Sequence, residues 1–160
     1  MEAHKQVEME IMYRKQVVVD YDQPLYPRVL PRNIRELSDD VLKVYIPEKK
    51  TGKWVVDIGL VFIGQKLGHV EAENILAQEK TLSLAGIHES MALLPLLHEL
   101  PFDKFRFTAL KERMVERAVE FIFTVHGSKR TAYAVMDFRD CLPFKNRLFV
   151  VQFGESQKLI

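Results

Sequence analysis

An α+β fold is what this chain of 160 residues predicts: one domain over residues 1–160, an antiparallel or mixed β-sheet with helices packed on one face. Three observations lead there. Residues 7–22 and 54–63 carry the patterns of strands, Thr108 to Gly127 carries the pattern of one amphipathic helix, and the elements run in the order strands, helices, strands. That order suits a sheet faced by helices better than alternating βαβ units.

In the first strand region Val7, Met9, Ile11 and Tyr13 alternate with Glu8, Glu10 and Arg14, and Val17, Val19 and Tyr21 alternate with Asp20 and Asp22. Period two means a strand with one wet face. One long strand and a hairpin turning near Arg14 to Gln16 both fit, because no Gly or Asn marks a tight turn there. Residues 23–32 hold Pro24, Pro27 and Pro31, which cannot supply ladder donors, and predict an extended arm. A short helical turn follows over Asn33 to Asp40, then strands over Val41 to Ile46 and Trp54 to Ile63 joined as a hairpin through Pro47 to Lys53. The second of these, WVVDIGLVFI, is nearly continuously apolar, so it predicts a strand covered on both faces near the middle of the sheet.

His69 to Lys80 reads as a weakly amphipathic helix, and Leu84, Ile87, Met91 and Leu94 mark a firmer one that Pro95 ends or kinks. In the segment 108–127, Leu110, Met114, Val115, Ala118, Val119, Phe121, Ile122 and Val125 cover one half of a helical wheel. Glu112, Arg113, Glu116, Arg117 and Glu120 fill the other half, with Thr108 as N-cap and Gly127 as the left-handed C-terminal residue. Thr131 to Phe138 and Arg147 to Phe153 complete the chain as an antiparallel pair.

A chain of this length removes roughly 70% of its unfolded surface from water and needs no covalent staple. Cys141 is the only cysteine, which excludes an intrachain disulfide and a multi-cysteine metal site and fits a reducing compartment. The 28% of charged residues balance to a net charge of +1, so affinity for polyanions would have to come from local clustering. MEAHKQVEMEIM lacks the basic start and apolar run of a signal peptide, and no apolar stretch is long enough to span a membrane. The expectation is a soluble cytoplasmic protein. Seven glycines form neither a phosphate loop nor a dinucleotide fingerprint, so the sequence calls for no cofactor.

Three functions remain to be weighed. Imidazole beside carboxylate in His88-Glu89 and His98-Glu99 offers a metal site or a proton-transfer pair, the basis of a metal-dependent hydrolase. The two histidines stand ten residues apart, about 80 degrees off a common helical face, with Pro95 between them. Asp57 and Asp137, each inside an apolar strand, offer paired carboxylates for a magnesium ion or acid–base work, or simply two strand residues facing solvent or each paired with an arginine. Nucleic-acid binding would use the basic turns Lys49, Lys50, Lys53, Lys129, Arg130, Lys145 and Arg147, gathered at one end of the sheet. Phe102, Phe105, Phe107, Phe144 and Phe149, interleaved with Lys104 and Arg106, would stack bases. The reading placed first is a non-catalytic interaction or assembly module that binds a protein partner or a second copy. Its contacts would be strand edges, including the terminal strands, and the arm residues Tyr26, Pro27, Val29 and Leu30, which three prolines hold extended.

Overall fold

The computed structural model describes residues 8–24, 34–37, 40, 44, 46, 50–64, 68–138 and 147–159. Among these residues eight strands form one mixed sheet: β1 (Met9–Asp20), β2 (Ile34–Leu37), β3 (Lys53–Ile63), β4 (Leu82–Leu84), β5 (Lys104–Glu116), β6 (Val119–Ser128), β7 (Ala132–Phe138) and β8 (Leu148–Lys158). Two short helices, α1 (His69–Ala77) and α2 (Ile87–Leu93), lie between β3 and β5, and a 3-10 segment, Leu94–Glu99, continues α2. The strand order is β1-β3-β8-β5-β6-β7-β2, with β4 also on β8. Pairing is antiparallel except for β5 with β8 and β2 with β7.

β3 lies where its apolar run requires, between β1 and β8. Val56, Ile58 and Leu60 enter one core cluster and Val61 and Ile63 enter another, so consecutive residues bury both faces. α2 and the 3-10 segment join the first cluster through Ile87, Met91, Leu94 and Leu97, while α1 joins the second through Ala72 and Leu76. The two helices therefore cover opposite faces rather than the one face expected.

The largest departure from the sequence pattern is at 108–127. This segment is no helix; it is the β5–β6 hairpin, turning at Arg117 and Ala118. Its ladder breaks between Ala109 and Met114, where Leu110 to Arg113 bulge out opposite Ile122 alone. Leu110, Glu112 and Met114 are buried at alternate positions, and because the middle one is a carboxylate the apolar pair stands four residues apart, a helical spacing, while β6 buries Ile122 and Phe123 on opposite faces. Together these imitate a period of 3.6.

Arg117 and Ala118 both have positive φ, 51° and 64°, which a two-residue type I′ hairpin turn demands and which Asn-Gly normally supplies. Neither residue announces such a turn. Replacing the pair with Asn-Gly is expected to stabilise the protein by about 1 kcal/mol and raise its melting temperature by roughly 2–4 °C. Differential scanning calorimetry checks this; an unchanged or lowered midpoint would contradict the turn geometry.

Other pairings also differ. β3 pairs with β1 and β8; of the strand expected over 41–46 only Val44 and Ile46 are described, and neither belongs to a strand. β7 and β8 do not pair with each other: β7 lies between β6 and β2, and β8 between β3 on one side and β5 and β4 on the other. Within 33–40, residues Ile34–Leu37 form β2 instead of a helical turn. The C-terminal run LFVVQF is paired on both edges and buried, so it offers no free strand. β1 is one strand, and it occupies an edge of the sheet.

Candidate functional site

A pocket of about 300 Å³ opens at the end of the sheet where β3 finishes and β5 and β8 begin. Its walls are Glu10 and Met12 of β1, Phe62 of β3, Leu148 of β8, Phe102, and Lys104, Phe105 and Arg106 of β5. The register shift between Ile11 and Tyr13 inserts Met12 as an extra residue and changes the phase of β1. This puts Met12 on the same face as Tyr13 and Val17, packed against the larger core cluster. Phe105 and Phe107 stack with centroids 5.9 Å apart, so the pocket wall continues along β5 directly into the core.

The rim is charged with both signs. Arg106 Nη1 lies 3.8 Å from Asp137 Oδ2, and Arg147 Nη2, with a side chain only 1% exposed, lies 3.6 Å from the same oxygen. Arg147 Nη1 also lies 3.4 Å from His69 Nδ1. Asp137 thus serves two guanidiniums. Glu10 and Lys104 are exposed, and among the described residues neither side chain has an ion-pair partner.

A second polar group is buried at the start of α2. The β5 bulge carries Glu112 under the helix, where Oε1 accepts the Ile87 N–H at 2.6 Å, and Lys111 N donates to Ala85 O at 3.2 Å. Gly86 makes this approach possible, since a β-carbon there would lie 2.2 Å from Glu112 Oε1. The carboxylate satisfies one orphan amide of the helix start. Glu89, His88 and Tyr21 are buried with it, and the Tyr21 and His88 rings meet at 5.4 Å. Burial, then the charges of Glu89 and Glu112, push the Tyr21 phenol above its ordinary range. Burial also pushes Glu112 above the usual carboxylate range, and the Ile87 amide opposes the shift only in part.

The histidine pairs do not converge. His88 and Glu89 are buried on α2, whereas His98 is exposed beside Glu99, 3.9 Å away. Glu99 is held by Lys15 Nζ at 2.6 Å and by the Tyr13 hydroxyl at 3.1 Å. The Lys15 hydrogen bond keeps Glu99 below its ordinary pKa, while burial and Glu99 push the Tyr13 phenol up to about 12. Among the described residues, no group of three or more His, Cys, Asp or Glu side chains is placed to hold a metal ion. Asp57 and Asp137 are likewise apart, each with arginine: Asp57 receives a forked pair of hydrogen bonds from Arg14, the nearest at 2.7 Å, and Arg14 also covers the Phe153 ring.

The basic turns separate too. β3 runs from Lys53 away to Ile63, β8 runs antiparallel to it and β5 parallel to β8. Lys50 and Lys53 therefore stand at one end of the sheet, and Lys129 and Arg130, beyond Ser128 opposite Lys104, at the other, about 33 Å away along the strands. Lys50 is engaged internally, 4.6 Å from the Trp54 centroid and 2.9 Å from Ser156 Oγ, and Arg147 is buried. Lys49 and Lys145, and the arm residues Tyr26, Pro27, Val29 and Leu30, lie outside the described residues.

The interleaved cations and phenylalanines of 102–106 were visible in the sequence as a pattern, and the structure brings Phe102, Lys104, Phe105 and Arg106 together in the pocket wall. Glu10, Met12, Phe62 and Leu148 gave no signal, because three distant strands contribute them and no local motif links them. The fold and site define a mixed-sheet protein in which β1 stands at an edge with no second partner among the described residues, and a pocket lies beside it. Comparison with protein-family models, curated proteins and solved structures finds no match for this chain. No helix among the described residues is long and apolar enough to cross a membrane.

Proposed function

We propose that this chain is a non-catalytic interaction module that takes up an extended segment of a partner protein along the outer edge of β1. The observation that carries the reading is the edge itself. β1 is 12 residues long and bonded along one side to β3, and among the described residues no strand pairs with its other side. Unpaired backbone N–H and C=O groups in a row are a template for another strand. Ile11 and Val18 leave 46% and 53% of their surface exposed on this strand, apolar area that an added segment would cover.

A different chain suits the edge better than a second copy. Antiparallel self-pairing about the middle of β1 would set Arg14 or Lys15 against its own equivalent, and like charges directly opposite are destabilising. The arm at 23–32, with Tyr26, Pro27, Val29 and Leu30, follows β1 in the chain and is proposed as a second contact.

Hydrogen exchange on β1 tests this with peptides selected against the chain from a random display library. In the isolated protein alternate β1 amides, those facing away from β3, are expected to exchange fast, and bound peptides are expected to protect them. Amides already protected in the isolated chain, or peptides that bind and leave β1 exchanging, would defeat the reading. A discrete oligomer in light scattering would transfer the edge to a second copy and overturn the choice of partner.

A further inference from the structure

The geometry points to a second, independent site: the pocket between β1, β3, β5 and β8 binds a small amphoteric molecule with an aromatic or branched apolar body, of the class of a free apolar α-amino acid. The inference does not depend on strand addition at β1. Five of the eight lining side chains, Met12, Phe62, Phe102, Phe105 and Leu148, are apolar, and the remaining three, Glu10, Lys104 and Arg106, are charged. At about 300 Å³ the cavity is at the small end of ligand pockets, which suits a molecule of amino-acid size.

The charged groups give the class. Glu10 enters from β1 and Lys104 and Arg106 from β5, with β3 and the start of β8 between them in the sheet order. Although they line one small cavity, Glu10 lies within salt-bridge distance of neither cation. Two charges of opposite sign held apart over an apolar floor match a ligand carrying both signs: a carboxylate toward Lys104 and Arg106, an ammonium toward Glu10, and the side chain between Phe62, Phe102 and Phe105. A purely anionic ligand would leave Glu10 facing like charge, and a purely cationic one would meet two repelling groups.

The test compares three probes on the full chain by titration calorimetry and chemical-shift mapping: L-phenylalanine, 3-phenylpropanoate, which lacks the ammonium, and 2-phenylethylammonium, which lacks the carboxylate. L-phenylalanine is expected to bind saturably and shift the methyl and ring signals of Met12, Phe62 and Phe102, and each analogue to bind roughly five- to tenfold more weakly. Glu10→Gln should abolish the advantage of L-phenylalanine over 3-phenylpropanoate by weakening the first and, with the like charge gone, somewhat strengthening the second. Lys104→Gln should weaken L-phenylalanine and 3-phenylpropanoate together. Both changes are at exposed rim positions, and an unchanged circular dichroism spectrum confirms the fold. Equal binding of L-phenylalanine and 3-phenylpropanoate would overturn the amphoteric class. No saturable binding of any probe up to about 10 mM, weaker than a millimolar dissociation constant, would overturn the site.

Discussion

Gly127→Ala is expected to cost about 3 kcal/mol or more and to lower the melting temperature by roughly 6–12 °C. Two terms add. Gly127 has φ of 134°, a conformation that L side chains rarely adopt, and a β-carbon there would lie 2.4 Å from Thr131 O and 2.9 Å from Ala132 Cα. Both obstacles are backbone, and Thr131 O already accepts the Ser128 N–H at 2.8 Å, so the turn between β6 and β7 cannot open without losing that bond. Behind the turn Ala132 and Ala134 pack in the main core, which opposes any shift of β7. Gly154→Ala separates the two terms. Gly154 has φ of 62° at the irregularity in β8 and nothing within 4 Å of the added carbon, so it should cost only the backbone term, about 1 kcal/mol. Urea unfolding of the two variants checks the difference; equal losses would mean that the contact with Thr131 is relieved.

At the start of α2, Glu112→Ala is expected to cost about 2–4 kcal/mol, because it leaves the Ile87 amide unpaired in a buried place and opens a cavity. Glu112→Gln should behave in the opposite way. Its amide oxygen can still accept from Ile87, and it removes a carboxylate whose ionisation burial disfavours. The pKa of Glu112 is higher folded than unfolded, so the native state holds the proton more tightly. This contribution is fully present below the ordinary carboxylate pKa and is lost as pH rises through the raised native value. Glu99 runs the other way. Its lowered pKa stabilises above the ordinary value and is lost in acid. Subtracting the stability profile of the Gln variant from that of the parent isolates Glu112. The expected difference narrows or reverses as pH rises, leaving the variant at least as stable at neutral pH. A difference independent of pH would show that Glu112 titrates normally.

Much of the element placement was legible. WVVDIGLVFI became the doubly buried β3 because burial on both faces requires continuous apolarity, and such a run needs no partner's identity to be recognised. α1 falls inside the helix expected over 69–80, and α2 gives way to the 3-10 segment at Leu94, one residue before Pro95, because proline cannot continue the ladder of bonds. The site was legible only as the local pattern Phe102-Asp-Lys-Phe-Arg106; its other walls arrive from strands up to 96 residues away in sequence.

By itself, then, the sequence determined which segments bury apolar surface and where proline ends a helix, since these depend on neighbours a few residues away. Tertiary structure alone decided which strands pair, that β8 lies inside the sheet and β1 at its edge, and that 108–127 is a hairpin. The reason at 108–127 is physical: the bulge at Leu110 to Arg113 exists to seat Glu112 and Lys111 against Ala85 and Ile87, contacts from another part of the chain. Those contacts let a carboxylate occupy the buried position between Leu110 and Met114, so an unbroken period of two in burial reads as a spacing of four in apolarity. A local pattern cannot reveal a periodicity that distant atoms impose.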